Sequence, residues 1–258
     1  MDVTAFNRQA WNRQVEGGNP WTIPVTSQQV TAARRGEWSL VLTPTLPVPR
    51  NWFPDDLSGK KILCLASGGG QQGPILAAAG AEVTVFDNSP AQLDQDRLVA
   101  DRDGLEIETI QGDMANLSVF QDNSFDLIFH PVSNVFVPNV KPVWREAYRV
   151  LKPGGVMLAG FMNPLFYIFD FDVMENENRL EVRHTIPYSD LEQLEPQRLQ
   201  KYIDDGSPLE FGHTLDDQIG GQLEAGFLIA GFYEDRYPQE IISHYIACFI
   251  ATRSIKLK

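Results

Sequence analysis

The chain has 258 residues, 43% of them hydrophobic, and a formal net charge of −13, enough for one α/β domain with additional segments. That acidity argues against a nucleic-acid substrate, which is held through Lys and Arg clusters, and no basic cluster stands out beyond Arg34-Arg35. No run approaches the roughly 18 apolar residues of a membrane span, and the opening MDVTAFNRQAWNRQ lacks an apolar signal core, so a cytoplasmic protein with no membrane partner is expected.

Residues 1–54 carry Trp11, Trp21, Trp38 and Trp52, four of the five tryptophans, and many prolines. A short helix is predicted over Phe6–Val15, and Pro44, Pro47 and Pro49 favour an extended segment. So many aromatics are unlike a disordered tail. The segment reads as packed on the core, either as a lid over a ligand or as a structural wrap.

Residues 55–161 alternate strands and helices. The apolar run Ile62–Ala66 reads as a buried strand and breaks at Ser67-Gly68-Gly69-Gly70. A helix follows over Gln71–Ala79, stopped by Gly80. A second strand, Glu82–Phe86, delivers Asp87 at its carboxyl end. Ser89, Pro90 and Gln92 then form a helix start, and that helix runs to Asp103 before Gly104. The third strand, Glu106–Ile110, leads into Gln111-Gly112-Asp113-Met114. A fourth, Phe125–Phe129, ends at His130-Pro131. A helix over Val140–Leu151, the turn Lys152-Pro153-Gly154-Gly155 and a fifth strand, Val156–Phe161, complete the rhythm of a parallel, doubly wound sheet.

Residues 162–213 lose that rhythm and read as an inserted cap. Their aromatic cluster Phe166, Tyr167, Phe169 and Phe171 suits either a pocket wall or the cap's own core. Residues 214–258 resume regular structure. A helix from Thr214 to Ala225 stops at Gly226. Two apolar runs, Phe227–Tyr233 and His244–Ala251, have no room for a helix between them and should pair antiparallel, with His244 opening the last strand. Cys64 and Cys248 sit in apolar runs and read as buried free thiols. No metal-binding spacing is present.

Gly68-x-Gly70-x-x-Gly73 places backbone N–H groups at a helix start, able to meet a polar ligand atom. Asp87 stands where an acid accepts from ribose hydroxyls. That much also suits a nicotinamide dinucleotide and an NAD(P)-dependent oxidoreductase. Asp113, at the carboxyl end of the third strand, adds a carboxylate where an adenine amine would lie.

With Phe125-Asp126-Leu127-Ile128-Phe129 and Arg149-Val150-Leu151-Lys152-Pro153-Gly154-Gly155 in order, the stretch from Lys60 to Gly160 resembles the class I S-adenosylmethionine-dependent methyltransferases, in particular the methyltransferase-11 or ubiquinone/menaquinone group. The resemblance implies a Rossmann-like, seven-stranded, mostly parallel sheet with an antiparallel last strand. It implies S-adenosylmethionine as cofactor, with S-adenosylhomocysteine as product and a small-molecule methyl acceptor. The backbone around Ala66, Ser67, Gly68 and Gly70 would hold the methionine part. Asp87 would bind the ribose, Asn88 would flank the adenine, and Asp113 with the backbone of Met114 would read it. His130 would lie near the methionine end, and it is the candidate base for an acceptor that needs one. His184 and His213 could face the substrate from the cap. Two positions depart from the family pattern. Cys64 replaces the usual first-strand acid and Ala66 the first turn glycine, so a non-catalytic cofactor-binding or interaction module is the second reading.

Overall fold

A computed structural model describes residues 1–257. The N-terminal segment forms α1 (Val3–Glu16) and α2 (Ser27–Arg34). The core follows with β1 (Lys61–Leu65), α3 (Gln72–Ala78), β2 (Glu82–Asp87), α4 (Pro90–Asp103), β3 (Ile107–Gln111), β4 (Phe125–His130), α5 (Lys141–Val150) and β5 (Leu151–Met162). The cap contributes α6 (Phe171–Glu177), β6 (Tyr188–Ser189), α7 (Asp190–Gln193), α8 (Pro196–Asp205) and β7 (Phe211–Gly212). The chain closes with α9 (Gly221–Ala225), β8 (Phe227–Asp235) and β9 (Phe249–Lys256).

Ile62, Leu63, Cys64 and Leu65 are all fully buried, as expected for a strand covered on both faces. Ile62 and Cys64 pack into one apolar cluster with Leu42, Phe53, Leu76 and Leu93. Leu63 and Leu65 pack into another with Val143, Trp144 and Ala147 of α5. The sheet order is β3-β2-β1-β4-β5-β9-β8. All neighbours are parallel except β9, which runs antiparallel to both β5 and β8. Strand order reverses between β1 and β4, so a crevice opens at their carboxyl ends, where open α/β sheets bind ligands.

The N-terminal segment is more ordered than expected. α1 begins at Val3 under an Asp2 cap. α2 has a complete Thr26–Gln29 capping box, a T-x-x-Q signal legible in the sequence and not used. Leu40, Leu42, Val48, Trp52 and Phe53 enter the same cluster as β1. The last strand is also corrected. Ile241–His244 is a short 3₁₀ turn and β9 begins at Phe249, so His244 does not open it. The strand continues past Ala251 because Thr252 and Ser254, both fully buried, donate to Gln222 Oε1 at 3.1 and 2.6 Å. Buried polar residues satisfied in this way do not register as an apolar run.

The cap has its own small core of Tyr167, Phe171, Met174, Tyr188 and Leu194, beside a two-stranded ladder of β6 and β7. Both cysteines are buried free thiols. No described helix is long and apolar enough to cross a membrane.

Candidate functional site

The turn after β1 is built from unusual backbone. Gly69 and Gly70 have φ of 113° and 70°, conformations that glycine adopts without a Cβ clash. Ala66, where a first glycine would be conventional, is held at φ 47°, at about 1 kcal/mol of strain. Its N–H donates to Phe86 O at 2.7 Å. A Cβ on Gly68 would lie 2.7 Å from Gln92 Cβ and 3.1 Å from Asp87 Oδ2, so this approach requires glycine.

Asp87 ends β2 facing this turn. Its Oδ2 accepts the Gly68 N–H at 2.9 Å and its Oδ1 the Ser89 N–H at 2.9 Å. Burial pushes its carboxyl above the usual range, and those backbone donors oppose the shift. Asp113 Oδ1 accepts the Ala115 N–H at 2.9 Å, and Thr4 Oγ1 reaches its Oδ2 at 3.4 Å. Asn88 fastens α1: its Oδ1 accepts from Arg8 Nε at 3.0 Å and its Nδ2 donates to Thr4 O at 2.8 Å.

These residues share one cavity of about 420 Å³. Ala66, Ser67, Gly68, Asp87, Asn88, Asp113 and Met114 line it on the sheet side. Gly70 does not line it and instead accepts the Val25 N–H at 2.9 Å. Thr4, Asn7, Trp11 and Trp21 close it from the N-terminal segment, and Phe166, Tyr167, Glu210 and Glu240 from the cap side. Phe166 and Tyr167 reach the cavity, and Tyr167 also belongs with Phe171 to the cap core.

Gln71 ties the N-terminal segment to the turn, its Nε2 donating to Pro20 O at 3.1 Å and Ile23 O at 2.9 Å. Gln72 Oε1 accepts from Ser67 Oγ at 3.1 Å.

His130, expected near the methionine end as a candidate base, does not reach the cavity. Its ring is fully buried and absent from the cavity lining. Nδ1 lies 2.9 Å from Leu65 O, which makes Nδ1 the protonated nitrogen. Nε2 is buried without a partner, and Trp144 packs edge-on at 5.9 Å. Burial lowers its pKa to about 4, so the ring is neutral near pH 7 and joins β4 to the end of β1. His184 and His213 do not line the cavity either. His213 Nε2 lies 3.1 Å from Asn134 O, and His184 packs 5.8 Å from Phe171.

Sequence reasoning missed two acids. Asp96 is fully buried in α4, and its Oδ2 accepts the Gly69 N–H at 3.0 Å. Burial raises its carboxyl to about 8, and the Gly69 and Gly70 amides oppose that rise. Its charge also pushes up the buried Cys64 thiol, after burial itself. Leu93, Asp96 and Val99 are all buried on α4, so an acid on the apolar stripe of that helix was the available signal. Glu210 is the second. It lies just before β7 in a stretch with no sequence pattern, and Tyr167 donates to its Oε2 at 2.7 Å.

The methyltransferase domain family matches residues 63–159. The uncharacterized methyltransferase YbaJ of Bacillus subtilis is 53% identical over 255 residues, covering 99% of both chains. A ubiquinone biosynthesis O-methyltransferase of Pseudomonas putida is 33% identical over 119 residues, covering 45% of this chain and 51% of its own. Among solved structures, an S-adenosylmethionine-dependent methyltransferase from Mesorhizobium loti superimposes with a TM-score of 0.62 at 19% identity, covering 80% of this chain and 94% of that one. A Listeria monocytogenes structure reaches 0.64 at 16% identity, covering 81% and 95%. These two likenesses concern the fold.

Proposed function

The chain belongs to the class I S-adenosylmethionine-dependent methyltransferases, and on that premise we propose that it methylates a small-molecule acceptor inside the cavity between sheet, N-terminal segment and cap. The observation that carries this reading is the continuity of the cavity from Asp87 and Asp113 to Tyr167 and Glu210. One space therefore adjoins both the nucleoside residues and the cap.

The residues present fit the cofactor. Its sulfonium and ammonium groups outweigh its one carboxylate, and the cavity is lined by Asp87, Asp113, Glu210 and Glu240 with no Lys, Arg or His among the described residues. Asp87 would accept from the ribose hydroxyls, and Asp113 with the Met114 backbone would hold the adenine. Ala66, Ser67 and Gly68 would line the methionine part. Gly70 and Asn88 support this set by fixing the N-terminal segment. When bound, the cofactor supplies an electrophilic methyl carbon.

The chain's own residues then position and enclose. The turn presents its backbone without a side chain in the way, and α1 covers the nucleoside edge through Thr4, Arg8 and Asn88. Orientation of an acceptor in a closed site supplies much of the rate for an in-line displacement, and exclusion of water prevents competing hydrolysis. His130 acts as a neutral positioning residue at the end of β1. The domain divisions follow the same reading: residues 1–54 as lid, 55–161 as cofactor-binding core, 162–213 as acceptor-facing cap, and 214–258 completing the sheet. A small acceptor also agrees with the cavity volume of about 420 Å³.

Calorimetric titration with S-adenosylhomocysteine tests the reading. The wild type is expected to bind, and Asp87→Asn to bind about 10- to 100-fold more weakly through loss of charge-assisted hydrogen bonds. Absence of binding at about 1 mM ligand, a weak affinity on the usual scale, would contradict it.

A further inference from the structure

We propose that Glu210 is the carboxylate that receives the methyl acceptor, and that the acceptor is an apolar body carrying an N–H or O–H head, neutral or cationic and not an anion. This rests on the methyl-transfer reading above and extends it to the class of acceptor.

Glu210 is held in place from two sides. Its N–H donates to Asp190 Oδ2 at 2.7 Å, and its C=O accepts the Asp190 N–H at 3.1 Å. Asn7 of α1 brackets the preceding residue in the same way, accepting the Leu209 N–H at 2.8 Å and donating to Leu209 O at 3.0 Å. N-terminal segment and cap therefore converge on one short piece of backbone. Asp190 is in turn fixed by the Tyr188 hydroxyl at 2.8 Å, and Tyr188 stacks on Tyr167 at 5.1 Å. Such a doubly bracketed backbone fixes the carboxylate's position before any ligand arrives.

The carboxylate itself is only half satisfied. Tyr167 is the one side chain that donates to it among the described residues, and only to Oε2. Glu210 is partly buried, and its Oε1 has no protein donor among the described residues, so it is open to a further hydrogen bond from the cavity. Burial and the neighbouring Asp190 raise its carboxyl to about 7, with the Tyr167 bond opposing. Glu210 also lines the cavity, so the missing donor is one that a ligand can bring.

The remaining surface defines the rest of the acceptor. Met162, Phe166, Tyr237 and Phe249 pack together beside it and line the same cavity, a setting for an apolar or aromatic body. Every charged residue in the lining is acidic. A phosphate or carboxylate would meet like charge and no cationic partner, which is discrimination by repulsion as well as by attraction.

The test uses the full chain, loaded with S-adenosylhomocysteine, and two probes of like shape: 2-phenylethylamine as the cation and 3-phenylpropionate as the anion. Binding is followed by calorimetry or saturation-transfer NMR. Wild type is expected to favour the amine by at least about tenfold, the scale of a charge-assisted hydrogen bond. Glu210→Gln is expected to lose that preference. Tyr167→Phe keeps the carboxylate and is expected to keep the preference, which separates the charge from the integrity of the cap. Equal binding of the two probes, no amine binding, or an unchanged preference in Glu210→Gln would overturn the proposal. Failure of S-adenosylhomocysteine to bind wild type counts against the methyl-transfer reading instead. A Glu210-dependent amine preference in the unloaded protein would then still support Glu210 as the recognition carboxylate.

Discussion

Asp96 accepts the Gly69 N–H at 3.0 Å from within α4, and its charge acts on Cys64. Asp96 is a buried acid beside the turn that does not line the cavity. It braces the turn from the helix that follows β2.

This arrangement has a pH signature. Asp96 titrates near 8 in the folded chain and near about 4 when unfolded. Between those values the folded state keeps a proton that the unfolded state has lost, so stability falls as pH rises from about 4 to about 8. Denaturant unfolding at pH 6.5 and 8 should show wild type losing on the order of 1 kcal/mol more than Asp96→Asn, with about 1.4 kcal/mol per pH unit as the ceiling for one group. Parallel losses in the two proteins would contradict the assignment. Asp96→Leu removes one of two acceptors of the Gly69 N–H, the other being Gln92 O at 3.0 Å, and should cost about 0.5–1.5 kcal/mol, with weaker S-adenosylhomocysteine binding.

His130 has the opposite sign. Its folded pKa is about 4, against about 6.5 unfolded. The unfolded state takes up the proton first, so this contribution is complete above about pH 6.5 and is lost as pH falls toward about 4. Nitrogen-15 NMR of the ring should show a neutral, Nδ1-protonated imidazole from pH 5.5 to 8. A mid-range titration would restore His130 as a candidate base.

The link between Gln71 and the N-terminal segment predicts a local effect. Gln71→Ala removes two donated bonds to Pro20 and Ile23, worth about 1 kcal/mol in total at a partly exposed site. Hydrogen exchange over residues 20–25 should accelerate about fivefold while the core strands keep their protection. Unchanged exchange there would mean that the segment is held by its apolar contacts alone.

The core was legible because its signals are local. Buried parallel strands are continuous apolar runs, and Gly80 and Gly104 punctuate the helices where expected. Asp87 is the last residue of its strand, and Asp113 follows its strand by two residues. The parts that escaped depend on distant partners. β9 runs through Thr252 and Ser254, which are tolerable inside only because Gln222 meets them. Glu210 becomes a defined site only through Asn7, 202 residues away from Leu209, and through Asp190. Asp96 is the intermediate case, since its position on the apolar stripe of α4 is visible although its partner Gly69 is not. His130 shows the converse: a strand's carboxyl end suggested chemistry, and the structure buries the ring against Trp144.

On the proposed function, one continuous cavity holds the nucleoside at Asp87 and Asp113 and directs the methyl toward Tyr167 and Glu210. A crystal structure of the full chain with S-adenosylhomocysteine tests it most directly. Both ribose hydroxyls are expected on the Asp87 carboxylate, the adenine beside Asp113 and Met114, and the sulfur facing the part of the cavity that Tyr167 and Glu210 line. A ligand bound elsewhere, or one whose sulfur faces away from Glu210, would contradict it.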